Sequence, residues 1–129
     1  MIRTILIVED TETCAATLEL ALAGIPGVEV SLARTAAEAL RVLGDGTKPV
    51  CAVVTDLNMP RMDGFELIRQ IRAEGSRLPI IVTSADTDPR TPERTFAIGA
   101  DAYFAKPYSP SLVRRKVEQL LNANRNSEA

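Results

Sequence analysis

The stretch VCAVVTDLNMPRMDGFELIRQIR, residues 50–72, decides the fold. Its first five residues are apolar and lead almost directly into Asp56, and a turn with Pro, Asp and Gly then leads into a helical pattern. An apolar run without in/out alternation is typical of a parallel strand that is covered on both faces. A charge at the end of such a buried strand makes Asp56 the first candidate functional residue.

The rest of the chain repeats this pattern of strand and helix. The predicted strands are residues 4–8, 28–33, 50–54, 79–82 and 102–105. The run 28–33 alternates more than the others, so we expect it at an edge of the sheet. The predicted helices are residues 12–23, 36–43 and 64–74, a short helix that Thr91 caps with Pro92 in its first turn, and a last helix opened by Ser109 and Pro110. Regular alternation with short loops predicts an α/β fold, an open doubly wound sheet of five parallel strands with five helices.

Length and composition indicate one domain. The chain has 129 residues, 46% of them hydrophobic, and we assign residues 1–122 to the domain and 123–129 to a polar, frayed tail. No apolar run approaches the roughly 20 residues that cross a bilayer, and no signal peptide is recognisable, so we expect a cytoplasmic protein. Cys14 and Cys51 are expected to be reduced thiols in the core.

Charge and residue types exclude several classes of function. The net charge is −2, which argues against direct binding to nucleic acid or to an anionic membrane. The chain has no histidine, which excludes a Ser/His/Asp triad, a histidine metal site and a phosphohistidine donor. Any chemistry therefore depends on carboxylates, hydroxyls or lysine.

Polar side chains follow four of the predicted strands. They are Glu9 and Asp10, Asp56, Ser84 and Lys106. If the strand order is 2-1-3-4-5, the first and third strands are neighbours and the three carboxylates converge at one crevice. Carboxylates this close repel one another unless a cation compensates them, and their hard oxygens favour Mg²⁺, with Mn²⁺ as a substitute.

These residues also suggest a reaction. An ionised Asp needs no general base to act as a nucleophile, and acyl phosphate formation on Asp is an established form of covalent catalysis. We therefore predict that Asp56 is phosphorylated. Lys106 would pair with the phosphoryl oxygens and with the Asp56 carboxylate, and the Ser84 hydroxyl would hydrogen-bond another phosphoryl oxygen.

With these residues in place, the chain resembles a response-regulator receiver domain of two-component signalling, with the flavodoxin-like fold of CheY-like proteins. The resemblance covers residues 3 to about 121 and rests on ILIVED, VVTDLNMPRMDGFELI, PIIVTSA and GADAYFAKPY in this order. The spacings of 28 residues from Asp56 to Ser84 and of 22 from Ser84 to Lys106 also fit the family.

The resemblance implies a ligand set for the metal. Asp10 and Asp56 would bind Mg²⁺ through their side chains, Asn58 through its backbone carbonyl and Glu9 through water. The Lys106–Pro107 peptide bond would be cis.

The resemblance also implies a switch. Tyr103 would turn inward when Ser84 moves toward the phosphoryl group, and this would remodel the face formed by the fourth helix, the fifth strand and the fifth helix. Asn58 and Asp86 would let water reach the phosphoryl group and so set its lifetime.

Two features depart from the commonest pattern of the family. Ser84 stands where threonine is more frequent, and Pro89 and Pro92 are expected to shorten or stiffen the fourth helix and the loop before it.

The expected partners are a sensor histidine kinase or a histidine phosphotransfer protein, and a downstream target of unknown identity. The protein would catalyse only its own phosphorylation and dephosphorylation, as a monomer or weak dimer. We expect no effector domain beyond residue 121, and the chain is either a stand-alone receiver or a piece of a larger regulator or hybrid kinase.

Three alternative classes of protein make different demands on the sequence. A flavodoxin-like electron carrier needs a phosphate loop where this chain has EDTETC, and a haloacid-dehalogenase-type phosphatase needs a second Asp where Asn58 stands. A receiver fold that serves as an interaction module without phosphorylation remains open.

Overall fold

The computed structural model describes residues 2–58 and 63–128, with the backbone alone for residues 124–128. The turn expected after Asp56 includes residues 59–62, which lie outside the described residues. The strands are β1 (Arg3–Val8), β2 (Val28–Ala33), β3 (Val50–Asp56), β4 (Ile80–Ser84) and β5 (Ala102–Ala105). The helices are α1 (Glu12–Ala23), α2 (Ala36–Gly44), α3 (Gly64–Ala73), α4 (Thr91–Ala97) and α5 (Pro110–Glu128).

The strands form one parallel sheet in the order β2-β1-β3-β4-β5, which confirms the predicted fold class. The strand β2 lies at an edge, as its alternating sequence indicated. The strand β5 forms the other edge and is less buried than the inner strands, although Tyr103 packs on one face of the sheet and Ala102 and Phe104 pack on the other. Among residues 2–58 and 63–128, no helix is long and apolar enough to cross a membrane.

Each face of the sheet packs against its own set of helices. Successive residues of a strand point to opposite faces, and Ile5 and Ile7 of β1 accordingly contact a different cluster from Leu6 and Val8. The first cluster contains Leu18 and Leu22 of α1 with Val113 and Val117 of α5. The second contains Ala36 and Ala39 of α2 with Leu67, Ile68 and Ile71 of α3. Apolar burial on both faces therefore leaves the carboxyl edge of the sheet for polar groups.

The ends of two helices differ from the prediction. Thr91 is the first residue of α4 and does not cap it, because its hydroxyl donates to the carboxylate of Asp86. The backbone of α5 is helical as far as Glu128, beyond residue 122, where the tail was expected to begin, and neither Gly nor Pro ends the helix there. The N-cap of α2 is Thr35, whose hydroxyl oxygen accepts a hydrogen bond from the amide of Glu38.

The two cysteines are free and half-buried. Cys51 packs against the apolar cluster that α1 and α5 form, as expected for a core thiol, whereas Cys14 belongs to neither apolar cluster of the described residues. Cys14 lines an apolar groove of about 380 Å³ between α1 and the loop after β5. Cys51 lies near the start of β3, before the fully buried part of that strand.

The fourth helix is short and attached largely through polar groups. It has seven residues, with Pro92 in its first turn, and its buried residues are Thr91 and Thr95. The guanidinium of Arg94 lies 4.9 Å from the ring centre of Phe65 on α3, a cation–π contact. The helix α4 therefore contributes little apolar area to the core.

Gly64 lies where the start of α3 approaches the end of β3. Its amide donates to the carbonyl of Leu57 at 2.9 Å. A Cβ atom at this position would lie 2.7 Å from the carbonyl oxygen of Asp56 and 2.7 Å from the Cα atom of Leu57. Backbone atoms cannot yield as a flexible side chain can, so this contact requires glycine.

We predict that Gly64→Ala lowers the free energy of unfolding by about 1–3 kcal/mol, because the added methyl group overpacks the backbone beside Asp56. Urea unfolding followed by circular dichroism measures this. Gly44→Ala is the matched control, since a Cβ atom there meets nothing within 4 Å. This substitution only lowers the entropy of the unfolded chain, so the free energy of unfolding should rise by about 0.4–1 kcal/mol. An equal change in the free energy of unfolding in the two variants would contradict the close approach of Gly64 to the backbone of Asp56 and Leu57.

Candidate functional site

Three carboxylates meet at the carboxyl edge of the sheet. The register pairs Val8 with Thr55, so that Glu9 and Asp56, one residue further along each strand, lie at the same level. One carboxylate oxygen from each of Glu9, Asp10 and Asp56 lies within 4.8 Å of the others. The side chains of Glu9 and Asp56 are buried, whereas Asp10 is exposed. We call these three residues the acidic cluster.

A lysine binds two members of the acidic cluster. Lys106 follows β5, and its Nζ lies 2.9 Å from Oε1 of Glu9 and 3.2 Å from Oδ2 of Asp56. The contact with Asp56 was predicted from the sequence, whereas the shorter contact with Glu9 was not. The peptide bond between Lys106 and Pro107, expected to be cis, is cis.

The pKa shifts follow from this arrangement. Burial raises the pKa of Glu9, and the neighbouring charge of Asp56 raises it further, against the opposing effect of Lys106. Burial acts to lower the pKa of Lys106, but its hydrogen bond to Glu9 and the charge of Asp56 outweigh burial and raise that pKa. Lys106 is therefore a cation at any physiological pH, and it is stabilised by the carboxylates that it joins.

The acidic cluster fits a hard divalent cation. Three carboxylates face one ammonium group, which leaves excess negative charge in a largely buried place. All the donor atoms are oxygens, the type that Mg²⁺ and Ca²⁺ prefer. The amide of Asn58 donates to Oδ1 of Asp56 at 3.2 Å and so contacts the edge of the cluster, while its side chain is exposed.

Ser84 lies beside Lys106 at the end of β4. The register pairs Ser84 with Ala105, the residue before the lysine, and the amide of Lys106 donates to the Ser84 carbonyl at 2.7 Å. The Ser84 side chain is buried, and its Oγ accepts a hydrogen bond from the amide of Asp86 at 2.9 Å.

The hydrogen bonds and packing of Asp86 and Tyr103 are directed to other parts of the fold. The carboxylate of Asp86 accepts hydrogen bonds from the amide of Asp88 and the hydroxyl of Thr91, so it is bound toward α4. Tyr103 is half-buried on β5, where it pairs with Val82 and packs against the core on the side of α2 and α3. Among the hydrogen bonds of the described residues, none joins Asp86 or Tyr103 to the acidic cluster.

Three features of the site were not predicted from the sequence. They are the ion pair of Lys106 with Glu9, the close approach of Gly64 to Asp56 and the hydrogen bond of Thr91 to Asp86. The glycine of the sequence MDG carried a signal, because glycine at the start of a helix is often needed for close packing. The other two contacts join residues whose separation along the chain matches no recognisable sequence motif.

The comparison with known proteins defines the family. The sequence model of the response regulator receiver domain matches residues 5–118. The chain therefore belongs to the response regulator receiver domain family, whose members act in two-component signalling.

Individual relatives agree with this assignment. The chain is 34% identical over 117 residues to the response regulator MprA of Mycobacterium sp. (strain KMS), covering 91% of this chain and 50% of that protein. It thus spans about half the length of the curated relatives that it matches. The signal receiver domain of a signal transduction histidine kinase from Syntrophus aciditrophicus is 32% identical with a TM-score of 0.81, covering 94% of this chain and 91% of that one.

A third comparison concerns the fold alone. The CheY-like receiver domain protein of Methanospirillum hungatei JF-1 has a TM-score of 0.88 at 24% identity, covering 98% of this chain and 99% of that one.

We predict that Lys106→Met lowers the free energy of unfolding by about 1.5–3 kcal/mol at neutral pH, because two buried carboxylates lose the cation that compensates them. Denaturant unfolding without divalent ions measures the effect. Lys48→Met, a change of the same type at an exposed loop lysine, is the control and should leave stability nearly unchanged. A loss as small as that of the control would show that Lys106 does not compensate the cluster.

Proposed function

We propose that this receiver domain accepts a phosphoryl group on Asp56 in a Mg²⁺-dependent reaction. The observation that carries the proposal is the position of the Asp56 carboxylate, which lies with two other carboxylates and the Lys106 ammonium at one edge of the sheet. The donor is a phosphohistidine on a sensor histidine kinase or a histidine phosphotransfer protein, which fits a chain that has no histidine of its own. The protein is thus a phosphoacceptor that catalyses only its own modification and its reversal.

Four residues would hold the metal. Asp10 and Asp56 contribute side-chain oxygens, Asn58 its backbone carbonyl, and Glu9 acts through water. The excess negative charge of the acidic cluster supports this assignment. When bound, Mg²⁺ neutralises charge on the phosphoryl oxygens, and Mn²⁺ can replace it.

The chain supplies the nucleophile and two groups that stabilise the transferred phosphoryl. An oxygen of Asp56 forms the bond to phosphorus as the bond from phosphorus to the donor histidine nitrogen breaks, and the imidazole keeps that electron pair. Lys106 already contacts Oδ2 of Asp56 at 3.2 Å, so its ammonium is available to a phosphoryl oxygen bound there. The Ser84 hydroxyl donates to a second phosphoryl oxygen.

The signal then passes to a partner surface. Ser84 and Tyr103 form the switch, and the face of α4, β5 and α5 binds the downstream target. The short α4 with its polar attachments supports a movable surface, because few apolar contacts oppose its displacement.

We predict that incubation with Mg²⁺ and acetyl phosphate adds one phosphoryl group to the protein, measured as intact mass. Asp56→Asn should abolish the gain, because an amide is a poor nucleophile in place of a carboxylate, and a chelator should abolish it by removing the metal. Asp10→Asn should strongly reduce the gain of mass, because it removes a carboxylate that would hold the metal.

The alternative function predicts a different result. If the wild-type protein binds Mg²⁺, measured by calorimetry, and still gains no mass, the chain is a receiver fold that acts as an interaction module. A gain of mass that survives Asp56→Asn would place the phosphoacceptor elsewhere and overturn the assignment of Asp56.

We further predict that Asp86→Leu lengthens the lifetime of the phosphorylated protein several-fold, because Asn58 and Asp86 together admit water to the phosphoryl group. The lifetime is measured by intact mass after acetyl phosphate is removed. Asp88→Leu is the matched control in the same loop, since the Asp88 carboxylate binds only Arg90 among the described residues. An unchanged lifetime in Asp86→Leu would refute the role of Asp86.

A further inference from the structure

Hydrogen bonds connect the hydroxyl of Ser84 with the first turn of α4. The Oγ atom of Ser84 accepts from the amide of Asp86 at 2.9 Å. The Oδ2 atom of Asp86 accepts from the hydroxyl of Thr91 at 3.0 Å, and its Oδ1 atom accepts from the amide of Asp88 at 2.9 Å. The backbone and side chain of Asp86 thus link two hydroxyl groups that are seven residues apart.

Both ends of this connection are buried. Ser84 is 1% exposed and Thr91 is 0% exposed, so neither hydroxyl can exchange its partner for bulk water. A buried polar group that loses its partner keeps its full desolvation cost. Asp86, which joins the two hydroxyls, is itself exposed, so the cost of opening the connection falls on the buried hydroxyls of Ser84 and Thr91.

The bond from Thr91 is the part of the connection that reaches α4. The bond from Asp88 to Asp86 spans two residues and stays within the loop. Among the described residues, no side chain caps the N-terminus of α4, whose N-cap residue is Arg90. The hydroxyl of Thr91 therefore holds the loop against the helix.

We infer that Thr91 is a positioning residue for phosphoryl transfer, acting through Asp86 on the hydroxyl of Ser84. By holding Asp86, it keeps the Asp86 amide directed at one lone pair of the Ser84 oxygen. The hydrogen of the Ser84 hydroxyl is then free to be donated to a phosphoryl oxygen. This inference rests on the proposed function, in which Ser84 binds the phosphoryl group on Asp56.

Thr91→Val tests the inference, since it removes the hydroxyl and keeps the shape of the side chain, while Thr91→Ser keeps the hydroxyl. The matched control is Thr95→Val in the same helix. Thr95 is equally buried, but its hydroxyl donates to the carbonyl of Pro92 within α4. Thermal unfolding of each variant shows whether it is folded at the temperature of the assay.

The first measurement is amide hydrogen exchange by NMR in the unphosphorylated protein. Thr91→Val should speed exchange of the Asp86 amide by about two- to tenfold, as expected from the loss of one hydrogen bond. Thr91→Ser and Thr95→Val should leave it unchanged. An unchanged exchange rate of the Asp86 amide in Thr91→Val would overturn the inference. This outcome does not depend on whether the protein can be phosphorylated.

The second measurement is the rate of phosphorylation by acetyl phosphate with Mg²⁺. Thr91→Val should slow it by about two- to tenfold, and Thr91→Ser should restore it. In a Ser84→Ala background, Thr91→Val should have no further effect, because residues that act through one another are not additive.

Two other results would overturn the role of Thr91 in phosphoryl transfer. The first is equal slowing by Thr91→Val with and without Ser84→Ala, or equal slowing by Thr95→Val, which would indicate a general structural effect. The second is a wild-type protein that gains no phosphoryl group, a result that overturns the proposed function itself. The exchange data then still show separately whether Thr91 holds the loop.

Discussion

The ammonium group of Lys106 between the carboxylates of Glu9 and Asp56 is the interaction on which the site depends. The sheet provides an apolar interior on both faces, and its carboxyl edge brings two buried carboxylates together. Without a cation these like charges would repel each other at close range. One lysine compensates part of that charge and leaves the remainder for a metal ion.

The polar groups around Ser84 extend this arrangement toward α4. The serine shares a backbone hydrogen bond with Lys106 on one side and a side-chain hydrogen bond with Asp86 on the other. The helix beyond it buries two threonines and binds α3 through a cation–π contact. The acidic cluster is thus supported by a packed sheet, whereas the neighbouring helix is held by a few directional contacts.

Most of the fold could be predicted from the sequence, because burial on both faces leaves uninterrupted apolar runs. The run before Asp56 predicted β3, and its regular alternation with helices predicted the parallel sheet. The convergence of Glu9, Asp10 and Asp56 followed from the strand order, since neighbouring strands end at the same edge. Local signals of this kind depend on residues that lie close together in the chain.

The contacts that were missed depend on geometry that no local pattern records. Thr91 before Pro92 is a common capping signal, but the Thr91 hydroxyl instead donates to the carboxylate of Asp86, five residues earlier. The pairing of Lys106 with Glu9 depends on the relative stagger of β1 and β5, which are not neighbours in the sheet. The backbone of α5 stays helical beyond residue 122 although the sequence there is polar, and Ala and Arg are good helix formers.

The distribution of the site along the chain has a consequence for its assembly. Glu9 and Lys106 are 97 residues apart in sequence, and they meet only when β5 has joined the sheet. Contacts of such separation are costly in loop-closure entropy and tend to form late in folding. A nascent chain whose last strand is still in the ribosome carries Asp56 without its lysine. The ion pair of Glu9 with Lys106 therefore cannot form before β5 has joined the sheet.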